Sequence, residues 1–537
     1  MAARKGQVKF KLPGAVSRVR TRRAAEMTAP VKNSMFALAN RLGEHRASPM
    51  QLINPATEEA FTEVATATPA DASAAVESAQ RAWEDSWRNL APGKRAEILF
   101  NIARVLREHR EELAQLECAN IGKPISDARD EIGLGSRVFE YYAGAIGQFC
   151  GQTIPVARGG LDFTLREPMG VVAAIVPWNF PFPIACWKAA PALAAGNCVV
   201  LKPASLSPLT ALRLGELAFA AGLPPGVLQV LVGPGSAIGD ALVTHPLVRK
   251  VSFTGSTEIG RRLMELASRD LKRVSLELGG KSPNIVFADA DWQRAADTSP
   301  LSVFANTGQD CCARSRVFVE RGIYEAFAER FVAATKKLIV GDPKQDATQL
   351  GPLVSAAQRA SVEDFLTDAK KCGTKFACGG NRPRVQSSAE DTPHPASGHP
   401  LPSSDEGRGQ GEGCSSPSKG FYLEPTVLLD VDKSTRCWRE EIFGPVVCIV
   451  PFDHEEQMLR AVNASPYGLS GSIWTNDLRR ALRVARAVQS GVLSINSHSS
   501  VHVEAPFGGY KQSGLGRDLG MAAMEGYTEV KNVYVAE

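Results

Sequence analysis

Short apolar runs rich in β-branched residues alternate with amphipathic stretches along much of the chain. The runs "VVAAIV" (171–176), "CVVLK" (198–202), "LQVLVG", "KVSFTG" and "VSLELGG" predict buried strands. Between them, "WKAAPALAAG" predicts a helix that ends at Gly196, and "PLTALRLGELAFAAG" predicts one that ends at Gly222. Such alternation is typical of a parallel sheet that is covered by helices on both faces.

The same pattern extends to both sides of this region. Upstream, "AAVESAQRAWEDSW" and "KRAEILFNIARVLREHREELAQLECANIG" each predict a long amphipathic helix. From about Asn284 the alternation resumes, which predicts a second α/β domain. In doubly wound sheets, ligands bind at the carboxyl ends of the strands. The segments that follow the strands there are "PWNFP" (177–181), "KPAS" (202–205) and "FTGSTEIG" (253–260), where a Ser or Thr can cap a helix that suits a phosphate.

Composition narrows the function classes. The chain has 537 residues, of which 44% are hydrophobic and 22% charged, and its net charge is +4. We therefore expect no nucleic-acid partner and no membrane partner, because no apolar run reaches the roughly 20 residues that a membrane helix needs. The 11 cysteines show no C-x-x-C pair and no His/Cys ligand spacing, which predicts a reducing compartment and no metal site.

Two segments depart from this globular pattern. Residues 1–50 begin with a basic stretch that has no acid before Glu26, and we predict a disordered extension. We expect a cytoplasmic protein, while a mitochondrial transit peptide stays open as an alternative because such peptides are basic and poor in acids. Residues 384–419 are rich in Ser, Pro and Gly, so we predict a disordered insertion whose role the sequence leaves open.

Two adjacent cysteines lie in "NTGQDCCARSR" (306–316). They have three interpretations: a nucleophile with its neighbour, a metal or redox pair, or two small core residues. The motifs around the pair decide between these interpretations.

Seven motifs occur in a characteristic order, namely "PWNFP", "KPAS", "FTGSTEIG", "LELGGKSP", "GQDC", "EEIFGPV" and "PFGGYKQSGLGRDLG". In their order and separations the chain resembles the aldehyde dehydrogenase superfamily, from about Ile53 to the C-terminus without the insertion. The resemblance implies doubly wound parallel sheets in a cofactor domain and a catalytic domain, plus a small β arm that makes a homodimer or homotetramer. The implied bounds are 51–150 and 168–279 for the dinucleotide-binding domain, 280–505 for the catalytic domain, and 151–167 with 506–537 for the arm.

The resemblance also implies an NAD(P)-dependent enzyme that oxidises an aldehyde to a carboxylic acid. Cys311, two residues after Gln309, is then the nucleophile, because an attacking thiolate turns the aldehyde into a hemithioacetal that releases hydride readily. Cys312 is its neighbour. Asn179 stabilises the oxyanion, and Glu277 activates the water that hydrolyses the thioester. Family members that acylate coenzyme A usually lack this glutamate, so its presence favours release of the free acid.

The cofactor residues are likewise implied by the resemblance. We expect NAD, or else NADP, because Ser205 stands where many NAD-preferring members have a Glu that binds the adenosine ribose. Without that carboxylate, a 2′-phosphate meets no repulsion. The expected cofactor-binding residues are Trp178, Lys202, Ser205, Gly235, Gly255, Ser256, Glu441 and Phe443.

The substrate is less readable from the sequence. Phe180 and Trp187 match aromatic positions of the family's aldehyde tunnel, and His498 and His502 lie in the loop before "PFGG". The motifs are similar to those of betaine-aldehyde and aminoaldehyde enzymes, which remain an alternative. However, Ala305 and the loop before "PFGG" leave the aromatic cage for a trimethylammonium group incomplete. A non-catalytic structural protein with this fold is a further alternative, although all three catalytic residues are present.

Overall fold

The structure is a computed structural model that describes residues 47–383, 419–499 and 501–536, and their strands form four sheets. In these ranges, no helix has both the length and the apolar character needed to cross a membrane. Most of the predicted N-terminal extension and of the predicted insertion, 1–46 and 384–418, lie outside the described residues.

A six-stranded sheet contains the strands that were predicted from the apolar runs. All neighbouring strands are parallel except the first pair. Every residue of two neighbouring interior strands, Val171–Ile175 and Cys198–Lys202, is buried, as expected for a sheet covered on both faces. In spatial order the strands are Gly514–Leu515, Arg273–Glu277, Val248–Thr254, Val171–Ile175, Cys198–Lys202 and Leu228–Val230.

Helices join these strands and pack around the sheet. The two predicted helix stops are confirmed, because Gly196 and Gly222 have φ angles of +92° and +99°, which favour glycine. The helices upstream are Pro69–Asp85, Pro92–Glu108, Arg110–Ile121 and Ile125–Ala145. Those between the strands are Pro181–Ala194, Leu209–Ala220, Asp240–Thr244 and Thr257–Ser268.

One helix prediction was wrong. The stretch "KRAEILFNIARVLREHREELAQLECANIG" forms two helices instead of one, with a break at His109, whose φ and ψ are −100° and 17°. The His109 ring contacts the Glu112 carboxylate at 2.7 Å, three residues along the second helix. Both helices on either side of the break pack against Ile125–Ala145.

A seven-stranded sheet confirms the second α/β region. Only the pair at one edge, Lys375–Cys378 with Thr426–Leu429, is antiparallel. The spatial order is Lys375–Cys378, Thr426–Leu429, Val446–Phe452, Arg316–Glu320, Pro283–Val286, Ser470–Trp474 and Val492–Ile495. Its helices are Trp292–Phe304, Tyr324–Thr335, Ala356–Lys371, Arg436–Arg439, Glu455–Asn463 and Leu478–Ala487.

Alternate residues of this sheet enter different hydrophobic clusters. Ile285 and Phe318 belong to one cluster, whereas their chain neighbours Val286 and Val317 belong to another. Successive side chains of a strand point to opposite faces, so the sheet is buried on both sides. The predicted fold class, α/β with parallel sheets, is confirmed.

The third sheet has three antiparallel strands, Thr528–Val535, Leu161–Pro168 and Thr153–Ile154. Only the last part of the predicted arm segment 506–537 therefore belongs to this sheet. Gly514–Leu515 pairs instead with the end of Arg273–Glu277, and the chain joins the three-stranded sheet only at Thr528. The reason is that the residues after "PFGG" are held against the six-stranded sheet, as the hydrogen bond from the Leu278 N–H to the Ser513 carbonyl at 2.9 Å illustrates. A separate hairpin pairs Ala47–Asn54 with Glu59–Thr66.

The fold generates a prediction for the insertion. Residues 384–418 connect Lys375–Cys378 with Thr426–Leu429, which are adjacent antiparallel strands. Replacing 384–418 with a short Gly/Ser linker should leave kcat/KM and Tm nearly unchanged, because the free-energy cost of closing a loop grows only slowly with its length. Thermal unfolding and steady-state assays of both proteins test this, with Lys419 kept because it contacts Glu59. A clear loss of Tm or of activity would show that the insertion packs or acts.

Candidate active site

The three residues predicted to be catalytic come together between the two large sheets. Asn179 follows the strand Val171–Ile175, and Glu277 ends the strand Arg273–Glu277. The Asn179 side chain donates from Nδ2 to the Gln309 carbonyl at 2.9 Å, two residues before Cys311. From the other side, a Cβ built at Gly280 would lie 2.2 Å from the Cys311 carbonyl oxygen, so the segment after Glu277 touches the same turn.

An unusual backbone carries Cys311. Asn306, Thr307 and Gly308 all have positive φ angles, of 51°, 57° and 71°, in the left-handed region that β-branched residues avoid. The surroundings must impose this conformation. The Thr307 hydroxyl donates to the Gly351 carbonyl at 2.8 Å, and the Gln309 side chain accepts from the Val354 N–H at 2.9 Å. The turn is thereby fixed by side chains as well as by backbone.

The Cys311 thiol is held in its protonated form. Cys311 is half-buried and Cys312 is buried. A hydrogen bond with Cys312, burial, and the negative charges of Asp310 and Glu441 all raise the pKa of Cys311 well above its usual range. A base must therefore take the thiol proton before or during any attack by this sulfur.

Asn179 is held by hydrogen bonds at its side chain and at its main-chain carbonyl. Its side chain is buried, and its amide nitrogen has a second hydrogen besides the one donated to Gln309. Its own carbonyl accepts from Lys123 Nζ at 3.0 Å and from Asn306 Nδ2 at 2.9 Å. The amide is thus oriented beside Cys311 without reliance on solvent.

Glu277 is a buried carboxylate with a strongly altered acidity. Neither of its oxygens has a hydrogen-bond partner in the described part of the chain. Burial, and then the charge of Asp518, raise the pKa of Glu277 well above its usual range. Gly508 leaves room for the carboxylate, because a Cβ there would lie 2.5 Å from Glu277 Oε1.

Two buried charged residues beside Glu277 were missed from the sequence. Lys188 Nζ donates to Asp518 Oδ2 at 3.0 Å and to Ser252 Oγ at 3.1 Å. Both charged side chains are almost fully buried, so each requires the other. The Asp518 charge raises the pKa of Glu277, and the Lys188 charge lowers it. A lysine within the otherwise apolar "WKAAPALAAG" was the available signal.

A third buried charged residue was also missed. Lys123 Nζ contacts the Asn179 carbonyl, forms an ion pair with Glu131, and lies 4.3 Å from the centre of the Phe180 ring. Burial raises the pKa of Glu131 to about 8. Lys123 directly follows the glycine that ends the helix Arg110–Ile121, and no local sequence signal marks it as buried.

The residues predicted to bind the nicotinamide half of a dinucleotide lie next to Cys311. Glu441 Oε1 accepts from the Gly280 N–H at 2.8 Å, and burial raises the pKa of Glu441 to about 7. Phe443 has a φ of 55° and meets the Trp178 ring edge-to-face, with ring centres 5.2 Å apart.

The residues predicted for the adenosine half follow other strands at the same edge of the six-stranded sheet. Burial lowers the pKa of Lys202 to about 8, and Ser205 donates to the Gly233 carbonyl at 3.0 Å. Ser256 caps the helix Thr257–Ser268 by accepting from the Ile259 N–H.

These positions fit a dinucleotide. Space is open at Gly235, where a Cβ would meet no atom within 4 Å. Gly255 lies against the Phe253 ring, which a Cβ would approach to 2.4 Å. The first N–H groups of a capped helix and the adjacent buried ammonium of Lys202 suit the phosphates and ribose of such a cofactor.

The predicted tunnel residues fall into two groups. Phe180 is half-buried beside Asn179, and Trp187 packs on Phe507 with ring centres 5.3 Å apart. His498 instead bonds Ser299 and Ser472 at the seven-stranded sheet. Burial and neighbouring arginines lower the pKa of His498 to about 3, so it offers no positive charge to a substrate.

His502 is exposed and contacts Ser499 at 3.4 Å. Its assignment to the tunnel stays a prediction.

Comparison with known proteins identifies the family. The model of the aldehyde dehydrogenase family matches residues 43–394 and 406–533. A phenylacetaldehyde dehydrogenase of Pseudomonas fluorescens is 41% identical over 497 residues, covering 91% of this chain and 92% of the relative. A betaine aldehyde dehydrogenase of Brucella suis biovar 1 is 39% identical over 510 residues, covering 95% and 98%.

A solved structure agrees with the fold and the cofactor. The indole-3-acetaldehyde dehydrogenase AldA of P. syringae, in complex with NAD+ and IAA, superposes with a TM-score of 0.83 at 40% identity. The match covers 91% of this chain and 93% of that one. The chain belongs to the aldehyde dehydrogenase family and is an NAD(P)-dependent oxidoreductase.

Proposed function

We propose that this enzyme oxidises an apolar aldehyde to the free carboxylic acid through a thioester on Cys311. One observation carries the proposal. A protonated thiol, a fixed amide donor and a buried carboxylate of raised pKa converge on one turn. This is the arrangement that covalent acyl chemistry followed by hydrolysis requires.

Acylation begins when the Cys311 sulfur attacks the aldehyde carbon. The carbonyl oxygen becomes negatively charged, and the second N–H of Asn179 Nδ2 donates to it. Since the Gln309 carbonyl holds the Asn179 side-chain amide, and Lys123 and Asn306 hold its main-chain carbonyl, the donor needs little reorganisation as the charge develops. The bound cofactor supplies the hydride acceptor, and loss of hydride converts the adduct on Cys311 into a thioester.

Glu277 acts in the second half of the reaction. Its raised pKa makes the carboxylate a stronger base toward water than an exposed glutamate is. The water oxygen then attacks the thioester carbon and releases the acid. A site without this base would leave the thioester to an external thiol, so Glu277 favours hydrolysis over transfer to coenzyme A.

The surroundings of Phe180 favour an apolar substrate over a quaternary ammonium compound. The ammonium group of Lys123 lies 4.3 Å from the Phe180 ring centre, so this ring already has a cation–π partner within the protein. A trimethylammonium group near Phe180 would also meet the repulsion of Lys123. The relative named for phenylacetaldehyde supports an arylacetaldehyde as substrate.

Ser205 bears on the choice of cofactor. Its hydroxyl is neutral and donates to Gly233, so no carboxylate repels a 2′-phosphate at this position. We propose NAD as the main cofactor, since related structures contain NAD+, with NADP also accepted.

The strand Thr528–Val535 supports a homo-oligomer. It pairs with Leu161–Pro168 on one side and exposes Val530, Tyr534 and Val535. An edge strand with exposed apolar side chains is suited to contact with a second copy.

The substrate proposal predicts a clear preference. Measured with NAD and with NADP, kcat/KM for phenylacetaldehyde should exceed that for betaine aldehyde by about tenfold or more, because cation–π attraction at Phe180 is compromised. Preference for betaine aldehyde would contradict the proposal. Absence of oxidation of every aldehyde in a broad panel would favour the structural-protein alternative.

Substitutions of the two adjacent cysteines should have different effects on aldehyde oxidation. Cys311→Ala should abolish aldehyde oxidation, since the nucleophile is lost, whereas Cys312→Ser should keep most of it. Initial rates and Tm of both variants test the assignment. Equal losses in the two variants would refute it.

Glu277→Gln should arrest the second half of the reaction. The variant keeps the shape of the side chain but not its basicity, so the thioester on Cys311 should accumulate and turnover should fall about a hundredfold or more. Intact-protein mass after mixing with aldehyde and NAD should show an acyl adduct that Cys311→Ala lacks. Full turnover in Glu277→Gln, or a requirement of the native enzyme for coenzyme A, would contradict this role.

A further inference from the structure

A second carboxylate, besides Glu277, lies beside the nucleophile. Asp310 is the residue between Gln309 and Cys311, and one of its oxygens lies within 4.8 Å of both the Cys311 and the Cys312 sulfur atoms. Its Oδ1 accepts from the Cys312 N–H at 2.8 Å, which holds the carboxylate against the turn. Glu277, in contrast, has no hydrogen-bond partner among the described residues and so makes no such contact with the thiol.

We propose that Asp310 is the base that takes the proton of the Cys311 thiol when the sulfur attacks the aldehyde. This inference rests on the proposed function for its place in the reaction. It assigns the two half-reactions to two different carboxylates, Asp310 for the thiol and Glu277 for the water.

The proton and electron movements balance. In the attack, the S–H bond of Cys311 breaks, its proton moves to Asp310, and the sulfur forms a bond with the aldehyde carbon. The π electrons of the carbonyl move to its oxygen, beside the Asn179 amide. When water later displaces the sulfur, Glu277 takes the water proton, and Asp310 returns its own proton to the Cys311 sulfur.

The local charges suit this exchange. The step moves one negative charge from Asp310 through the sulfur to the carbonyl oxygen and creates no additional charge in a buried site, so it avoids a large desolvation cost. Burial raises the pKa of Asp310, while hydrogen bonds from Cys312 and Cys311 and the charges of Arg314 and Lys123 oppose that rise.

Arg314 also fixes the neighbouring backbone, because its Nη1 donates to the Cys312 carbonyl at 2.8 Å. Asp310 is thus a positioned carboxylate of raised basicity that faces the thiol.

A competing role gives the opposite result in the test. As a fixed negative charge that never accepts the proton, Asp310 would only oppose thiolate formation, and its neutralisation would make Cys311 more reactive. As the base, Asp310 keeps a constant small fraction of the pair in the thiolate–acid form at every pH between the two pKa values. The pH profile of thiol reactivity therefore separates the two roles.

The experiment is alkylation of Cys311 by iodoacetamide without aldehyde, from pH 6 to 8, in a Cys312→Ser background. With Asp310 present, the rate at Cys311, followed by peptide mass, should stay nearly constant. Asp310→Asn keeps an oxygen for the residue 312 N–H but cannot take the proton. Its rate should rise about tenfold per pH unit and, at pH 6, lie about tenfold or more below that of the parent.

Two further variants serve as controls. Asp310→Glu restores a carboxylate and should recover a flat profile, whereas Glu277→Gln should retain one because Glu277 does not hold the thiol proton. Parallel profiles for the parent and Asp310→Asn, a faster Asp310→Asn at pH 6, or loss of the flat profile in Glu277→Gln would each overturn the proposal. Since no aldehyde is used, failure of the aldehyde assays would leave this result separately readable.

Discussion

The hydrogen bond from Asn179 Nδ2 to the Gln309 carbonyl links the two halves of the enzyme at its reactive point. Asn179 belongs to the loop after a strand of the six-stranded sheet, and Gln309 belongs to the turn that enters the seven-stranded sheet. The left-handed run from Asn306 to Gly308 is tolerated because this bond and the contacts of Thr307 and Gln309 fix it from several sides. Without the link, the proposed nucleophile and its proposed oxyanion donor would sit on independently moving elements.

Burial of carboxylates is the second constraint. Glu277, Asp310 and Glu441 all lie near the Cys311 turn, and burial raises the pKa of each. Several negative charges at one site repel one another, which favours the protonated form of these carboxyl groups. The positive charges of the buried Lys188 and Lys123 ammonium groups partly offset this repulsion. The balance suits a reaction in which protons leave a thiol and then a water.

Much of the fold and the centre of the site were predictable from the sequence. Buried strands such as Val171–Ile175 are continuous apolar runs, and helix ends such as Gly196 require a left-handed glycine, so both are visible in a single local window. The helix break at His109 was not visible, because both sides of it have the same amphipathic pattern. The C-terminal segment was assigned to the arm too early, because its pairing with Arg273–Glu277 depends on a partner far away in the chain.

The missed residues share one physical property. Lys188 and Asp518 are 330 positions apart, and Lys123 and Asn179 are 56 apart, yet each pair is in direct contact. A lysine is normally exposed, and its burial is stable only when a partner that is close in the folded structure compensates its charge. Sequence motifs therefore identified the proposed reacting groups, whereas the charges that set their acidity required the structure.

Lys123 shows how one such charge serves two purposes. Its hydrogen bond to the main-chain carbonyl of Asn179 holds the backbone of the proposed oxyanion donor, and its position over the Phe180 ring places a positive charge at the adjacent pocket wall. Loss of this ammonium would remove a positive charge from the pocket and also a hydrogen bond from the Asn179 backbone. On the proposed function, the placement of the oxyanion donor and the discrimination against cationic substrates therefore depend in part on the same side chain, so we expect a change at Lys123 to affect both the rate and the selectivity.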